Sequence, residues 1–130
     1  MTGEVLITAE NVGKRFPLRQ GVLHRLSGQP APAVHALNGV SLEIRRGETL
    51  GIVGESGCGK STLARCLVRL HDCDAGRIVF EGQDIALLQG KARRAFNRRV
   101  QMIFQDPYSS LNPRMKVRGI LGEALGVHKM

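Results

Sequence analysis

Three observations predict an α/β fold for this chain. A short apolar run from Thr49 to Val53, bounded by turn signals, suits a buried parallel strand. A helical period follows it from Lys60, with Leu63, Cys66, Leu67 and Leu70 at i, i+3, i+4 and i+7 on one helix face. Upstream, Val40 to Ile44 reads Val-Ser-Leu-Glu-Ile, the apolar–polar alternation of a half-exposed antiparallel strand.

The remaining elements fall in order around these three. Val5 to Val12 reads as a first strand. Pro17 to Val34 is rich in Gly, Pro, Ser and Gln and reads as a long loop. Arg45-Arg46-Gly47-Glu48 is a turn. After the helix, Asp74-Ala75-Gly76 turns the chain into a strand from Arg77 to Glu81, and Gly82-Gln83-Asp84 turns it again. Lys91 to Arg98 is a basic helical segment, and Val100 to Phe104 is a second buried strand. Asp106 to Pro113, with two prolines, is a loop. Val117, Ile120, Leu121, Ala124 and Leu125 repeat the helical spacing in a final amphipathic helix.

Composition narrows the function classes. The chain has 130 residues, 42% of them hydrophobic, which fits one domain or a piece of a larger one with a packed core. No apolar run approaches the roughly 20 residues of a membrane-spanning helix. The start, Met1-Thr2-Gly3-Glu4, lacks the basic and apolar stretches of a secretory signal. Cys58, Cys66 and Cys73 are odd in number and without CxxC spacing, so they read as reduced cytosolic thiols. The net charge is +8, densest at Lys91, Arg93, Arg94, Arg98 and Arg99. That run reads as a solvated helix face. With one Tyr and no Trp there is little to stack on single-stranded nucleic acid, and no direct nucleic-acid partner is expected.

The most specific signal is Gly54-Glu55-Ser56-Gly57-Cys58-Gly59-Lys60-Ser61, the pattern G-x-x-x-x-G-K-S between a strand and a helix. Gly54, Gly57 and Gly59 let backbone amides approach an anion with no Cβ in the way. Those amides and the helix N-terminus make an anion-binding concavity to which Glu55, Ser56 and Cys58 contribute backbone. Lys60 places a point charge on the β- and γ-phosphates, Ser61 offers its hydroxyl to magnesium, and Thr62 reaches the α-phosphate side. The expected ligands are ATP and Mg2+. Cys58, inside this loop, is either a tolerated loop position or a redox-sensitive thiol at a helix N-terminus.

A second candidate site follows Val100-Gln101-Met102-Ile103-Phe104-Gln105-Asp106. Asp106 reads as a magnesium-linked acid at a strand end, as in a small P-loop kinase. Alternatively Gln105 is the functional residue, ending the strand at the γ-phosphate edge.

Gly54 to Arg65, taken with Val100-Gln-Met-Ile-Phe-Gln-Asp-Pro-Tyr-Ser-Ser-Leu-Asn-Pro-Arg-Met115, resembles the ATP-binding subunits of ABC transporters, specifically the oligopeptide/dipeptide/nickel import group. Ser109 to Arg114 is the pointer to that group. The resemblance covers nearly all of the chain from Val5 onward. It implies a partial P-loop NTPase core with an antiparallel β subdomain formed by the N-terminal strands. It also implies that Gln105 is a Q-loop residue contacting magnesium and attacking water, and that Phe16 is the aromatic that stacks on adenine. Ordinary core packing is the alternative for Phe16. The family continues with an LSGGQ signature, a Walker B Asp-Glu pair, a D-loop and a switch histidine, none of which is present here. Leu26-Ser27-Gly28-Gln29 imitates the signature in the wrong order, and His128 has no Walker B before it.

The resemblance therefore implies the N-terminal part of an ABC ATP-binding domain, residues 1–130, that is unable to hydrolyse ATP alone. It implies a place on the cytoplasmic face of a bacterial inner membrane, with transmembrane permease subunits and a second ATP-binding subunit as partners. A soluble DNA-acting ABC ATPase and a non-catalytic nucleotide-binding fragment remain as alternatives.

Overall fold

The computed structural model describes residues 3–18, 32–106 and 111–128. Leu26 to Gln29, Ser109 and Ser110 lie outside the described residues. The chain divides into two compact units, Met1–Leu88 and Gln89–Met130.

The first unit is built on an antiparallel sheet of four strands in the order β2-β1-β3-β4. They are β1 (Val5–Pro17), β2 (Ala33–Arg45), β3 (Ala75–Phe80) and β4 (Gln83–Asp84). β1 pairs with β2 along its whole length, from Val5 opposite Arg45 to Pro17 opposite Ala33. The Leu18 amide extends the ladder by donating to Pro32 O at 2.9 Å. Both strands are longer than the alternation alone predicts, so the ends of the expected loop at Pro17 and Val34 are strand instead. Backbone pairing carries a strand beyond the residues whose side chains show a pattern.

One irregularity in β1 decides which residues it buries. Ile7 and Ala9 face the core at the two-residue strand period. Asn11 then takes φ +48, and the register with both neighbouring strands slips at this point. The extra residue reverses the phase, so Val12 and not Asn11 is buried, at 0% exposure. The Asn11 amide, displaced from the ladder, donates to Ser41 Oγ at 2.9 Å. Ile78 and Phe80 of β3 join this core. Glu81 (φ +48) and Gly82 (φ +76) form the two-residue turn that returns β3 into β4, with the paired left-handed geometry that matches strand twist. The expected turn at residues 82–84 thus sits one residue earlier, and the one expected at residues 74–76 gives way to strand from Ala75.

Helix α1 (Lys60–Leu67) buries Leu63 and Cys66. It stops before Leu70, which is 55% exposed, because Arg69 turns left-handed at φ +56. The Arg69 guanidinium then donates to Leu88 O at 2.6 Å and Ala86 O at 2.9 Å, tying the helix exit to the short 3-10 turn Ile85–Leu87.

Two expectations are corrected. Thr49 to Val53 is not a strand, and Leu50, Ile52 and Val53 are 40%, 42% and 94% exposed. Val100 to Phe104 is not a strand either, with Ile103 96% and Phe104 44% exposed. A buried parallel strand requires a hydrogen-bonded neighbour and cover on its faces. Among the described residues no strand pairs with either segment.

The second unit carries α2 (Gly90–Arg99) and α3 (Val117–His128). α2 buries Phe96 and exposes Lys91, Arg93, Arg94, Arg98 and Arg99, the solvated basic face expected. α3 forms where the apolar period places it, yet Val117, Leu121 and Leu125 are 72%, 66% and 51% exposed. No helix among the described residues is long and apolar enough to cross a membrane.

Candidate functional site

The candidate phosphate site is the turn that opens α1. Gly59 is the N-cap residue, with φ +100 and ψ 0, and the first helical bond runs from Leu63 N–H to Gly59 O at 2.9 Å. Glycine is required here twice over. The left-handed backbone disfavours a side chain, and an added Cβ would lie 2.4 Å from Ala36 O of β2. This close approach seats the helix N-terminus directly on the sheet. At Gly54 an added Cβ would meet Cys58 Sγ at 2.8 Å, so the two ends of the loop also close on one another.

The Lys60 side chain curls back under this loop. Its ammonium donates to Gly54 O at 2.7 Å and Glu55 O at 2.6 Å and lies 3.5 Å from Cys58 Sγ. The Cys58 amide donates to Glu55 O at 3.4 Å, closing the turn around the charge. Residues 54 to 58 are exposed. α1 has no acidic residue in its first turn, so the positive end of its dipole and the lysine charge act together. Ser61 is exposed and Thr62 half-buried on the same turn. The arrangement fits a nucleotide polyphosphate: backbone donors at a helix start, one cation and a hydroxyl. Among the described residues no group of three or more His, Cys, Asp and Glu could hold a metal ion. A magnesium ion here would depend on phosphate oxygens as well as Ser61.

Phe16 lies near the end of β1 and is half-buried rather than enclosed in the core. Its ring meets His71 edge-on, with centroids 5.5 Å apart and planes at 74°, and the Lys14 ammonium lies over it at 5.7 Å. Asp74 anchors this strand end, accepting from Arg15 N–H at 2.7 Å and from Lys14 Nζ at 3.3 Å. The Arg15 amide bond, then the Lys14 bond and charge, hold the Asp74 carboxyl below the usual carboxylate range. Reading the sequence element by element found Asp74 only as a turn residue and missed His71; both lie far from Phe16 along the chain.

The three thiols differ. Cys58 is exposed, Cys66 is buried and Cys73 is intermediate, all unpaired by disulfides. Burial, with the neighbouring Cys73 thiol adding to it, pushes the Cys66 thiol up to about 11. Burial also raises Cys73. Gln105 and Asp106 belong to the second unit and are exposed there.

Comparison with known proteins identifies the family. Residues 37–126 match the family described as ABC transporter. The chain is 46% identical over 128 residues to the oligopeptide transport ATP-binding protein AppF of Bacillus subtilis, covering 98% of this chain and 38% of that protein. It is 48% identical over 102 residues to the oligopeptide transport ATP-binding protein OppF of the same organism, covering 78% of this chain and 33% of that protein. The chain thus spans between 33% and 38% of the length of these relatives. Among solved structures, a dimeric post-hydrolysis state of the ATP-binding cassette MJ0796 bound to ADP and Pi superposes with a TM-score of 0.56 at 25% identity, covering 72% of this chain and 35% of that one. The fold is accordingly that of a partial P-loop ATPase core with its antiparallel β layer. The matched region runs from β2 through the lysine-centred turn into α3, and on that match the chain belongs to the ABC transporter family.

Proposed function

We propose that this chain binds Mg-ATP as part of the energy-coupling subunit of a peptide-type ABC importer. The observation that supports it most is the closure of the Gly54–Ser61 turn on the Lys60 ammonium at the start of α1. Lys60 exchanges its carbonyl partners for β- and γ-phosphate oxygens. The backbone of Gly54, Glu55, Ser56, Gly57, Cys58 and Gly59 surrounds the phosphates, and Thr62 serves the α-phosphate side. Phe16 stacks on adenine. Ser61 and Gln105 are the chain's groups toward magnesium, and Gln105 also orients the attacking water. Ser61 and Gln105 would hold magnesium, which would offset charge developing on the γ-phosphoryl.

In this reading the subunit sits peripherally on the cytoplasmic face of a bacterial inner membrane. It pairs with a second ATP-binding subunit and with permease subunits. The names of its relatives favour a peptide-class solute. The 130 residues alone do not turn ATP over at an enzyme-like rate, because they hold the phosphate cradle but no acidic pair following a strand.

The test separates the two residues that end the segment 100–106. In membrane vesicles carrying the assembled transporter, Gln105→Ala leaves ATP binding nearly intact and lowers transport-coupled hydrolysis on the order of ten-fold or more. Asp106→Ala is milder. If Asp106→Ala abolishes magnesium-dependent binding while Gln105→Ala is silent, the importer role assigned to Gln105 fails.

A further inference from the structure

Helix α1 starts at the phosphate turn and ends beside Phe16. Just past its last turn, the His71 amide donates to Arg65 O at 3.2 Å, which fixes His71 to the helix exit. Asp74 fixes the opposite side, through the Arg15 amide at 2.7 Å, and its own amide donates to Gly13 O at 2.9 Å. Between these clamps the His71 ring edge abuts Phe16, 5.5 Å between centroids. Phe16 is half-buried at a strand end. Its ring meets His71 at the edge and Lys14 over the face.

We propose that His71 is a positioning residue: it holds the Phe16 ring at the angle needed to stack on a purine base, so it governs base affinity without touching the phosphates. The proposal rests on Phe16 being the base-stacking aromatic. An edge-to-face pair between aromatic rings favours one mutual angle over free rotation. A ring held at that angle before ligand arrives loses less freedom on stacking than one that must be ordered by the ligand. His71 is half-buried and borders a cavity of about 230 Å³.

The experiment is a binding titration of the folded protein with ATP and, in parallel, with inorganic triphosphate, which has the charge but no base. His71→Ala is expected to weaken ATP binding about 2- to 10-fold and to leave triphosphate binding unchanged. His71→Phe keeps a ring edge and is expected to restore ATP binding. Phe16→Ala, the control for the underlying reading, is expected to weaken ATP binding by about 5-fold or more, again sparing triphosphate. If Phe16→Ala weakens ATP and His71→Ala does not, His71 is overturned and the base-stacking role stands. If Phe16→Ala leaves ATP binding unchanged, the base-stacking role itself falls and takes the proposal with it. Equal weakening of ATP and triphosphate by His71→Ala, or failure of His71→Phe to restore binding, also overturns the proposal.

Discussion

Replacing Gly59 by alanine puts two separable costs on the phosphate turn. The first is conformational. Gly59 has φ +100, and a β-carbon in left-handed backbone costs about 1–2 kcal/mol. The second is steric. The new methyl lies 2.4 Å from Ala36 O and 3.1 Å from Leu37 Cδ2. The oxygen is strand backbone, so either β2 or the turn must shift, at about 1–3 kcal/mol. Gly57 supplies the control, because its φ is +82 but nothing lies within 4 Å of an added Cβ. Gly57→Ala therefore carries the first cost alone. Alanine also restricts the unfolded chain, offsetting about 0.4–1 kcal/mol, but equally in both variants. The expected ordering is Gly57→Ala destabilised by about 0–1.6 kcal/mol and Gly59→Ala by about 1–3 kcal/mol more. Urea unfolding followed by circular dichroism measures both. Two variants within about 0.5 kcal/mol of each other, below the smallest steric cost, would refute the claim that the turn is seated against β2.

The other predictions concern thiols, acid and solubility. A maleimide at neutral pH labels exposed Cys58 first and spares Cys66, whose thiol ionises only near pH 11. Peptide mapping that finds Cys66 modified as fast as Cys58 contradicts the packing of α1. The depressed Asp74 carboxyl contributes stability above the ordinary carboxylate pKa of about 3.9 and loses it as pH falls through its lower folded value. Asp74→Asn is therefore less stable than the parent at pH 7, and the gap closes toward low pH in chemical unfolding. A gap that widens on acidification reverses the sign and removes Asp74 as the anchor of Arg15. Val53 and Ile103, 94% and 96% exposed, are apolar chain in water. Val53→Lys together with Ile103→Lys is expected to lower light scattering by the 130-residue chain, and equal scattering from parent and variant contradicts these side chains as a site of self-association.

Much of this was legible in the sequence, and the part that was not has a common cause. Alternation from Val40 to Ile44 exposed β2, because each residue there reports its own burial. The turn at residues 54–61 was legible because its parts are consecutive and Gly57 and Gly59 take left-handed backbone. Residues 49–53 and 100–104 misled because an apolar run specifies a strand only when a partner edge is supplied, and the described residues supply none. The slip at Asn11 and the left-handed stop at Arg69 depend on backbone angles that the side-chain period does not report. The Phe16–His71 pair was hidden for a simpler reason: β1 and the exit of α1 meet only through the fold.

The turn closed on Lys60 is proposed to bind nucleotide phosphates. Calorimetric titration of Mg-ATP into the parent protein and into Lys60→Ala, both shown to be folded, tests it most directly. A charge-assisted contact is worth about 1.5–3 kcal/mol, so affinity is expected to be lower by about 10- to 150-fold in Lys60→Ala. Equal affinity in the two proteins would contradict it.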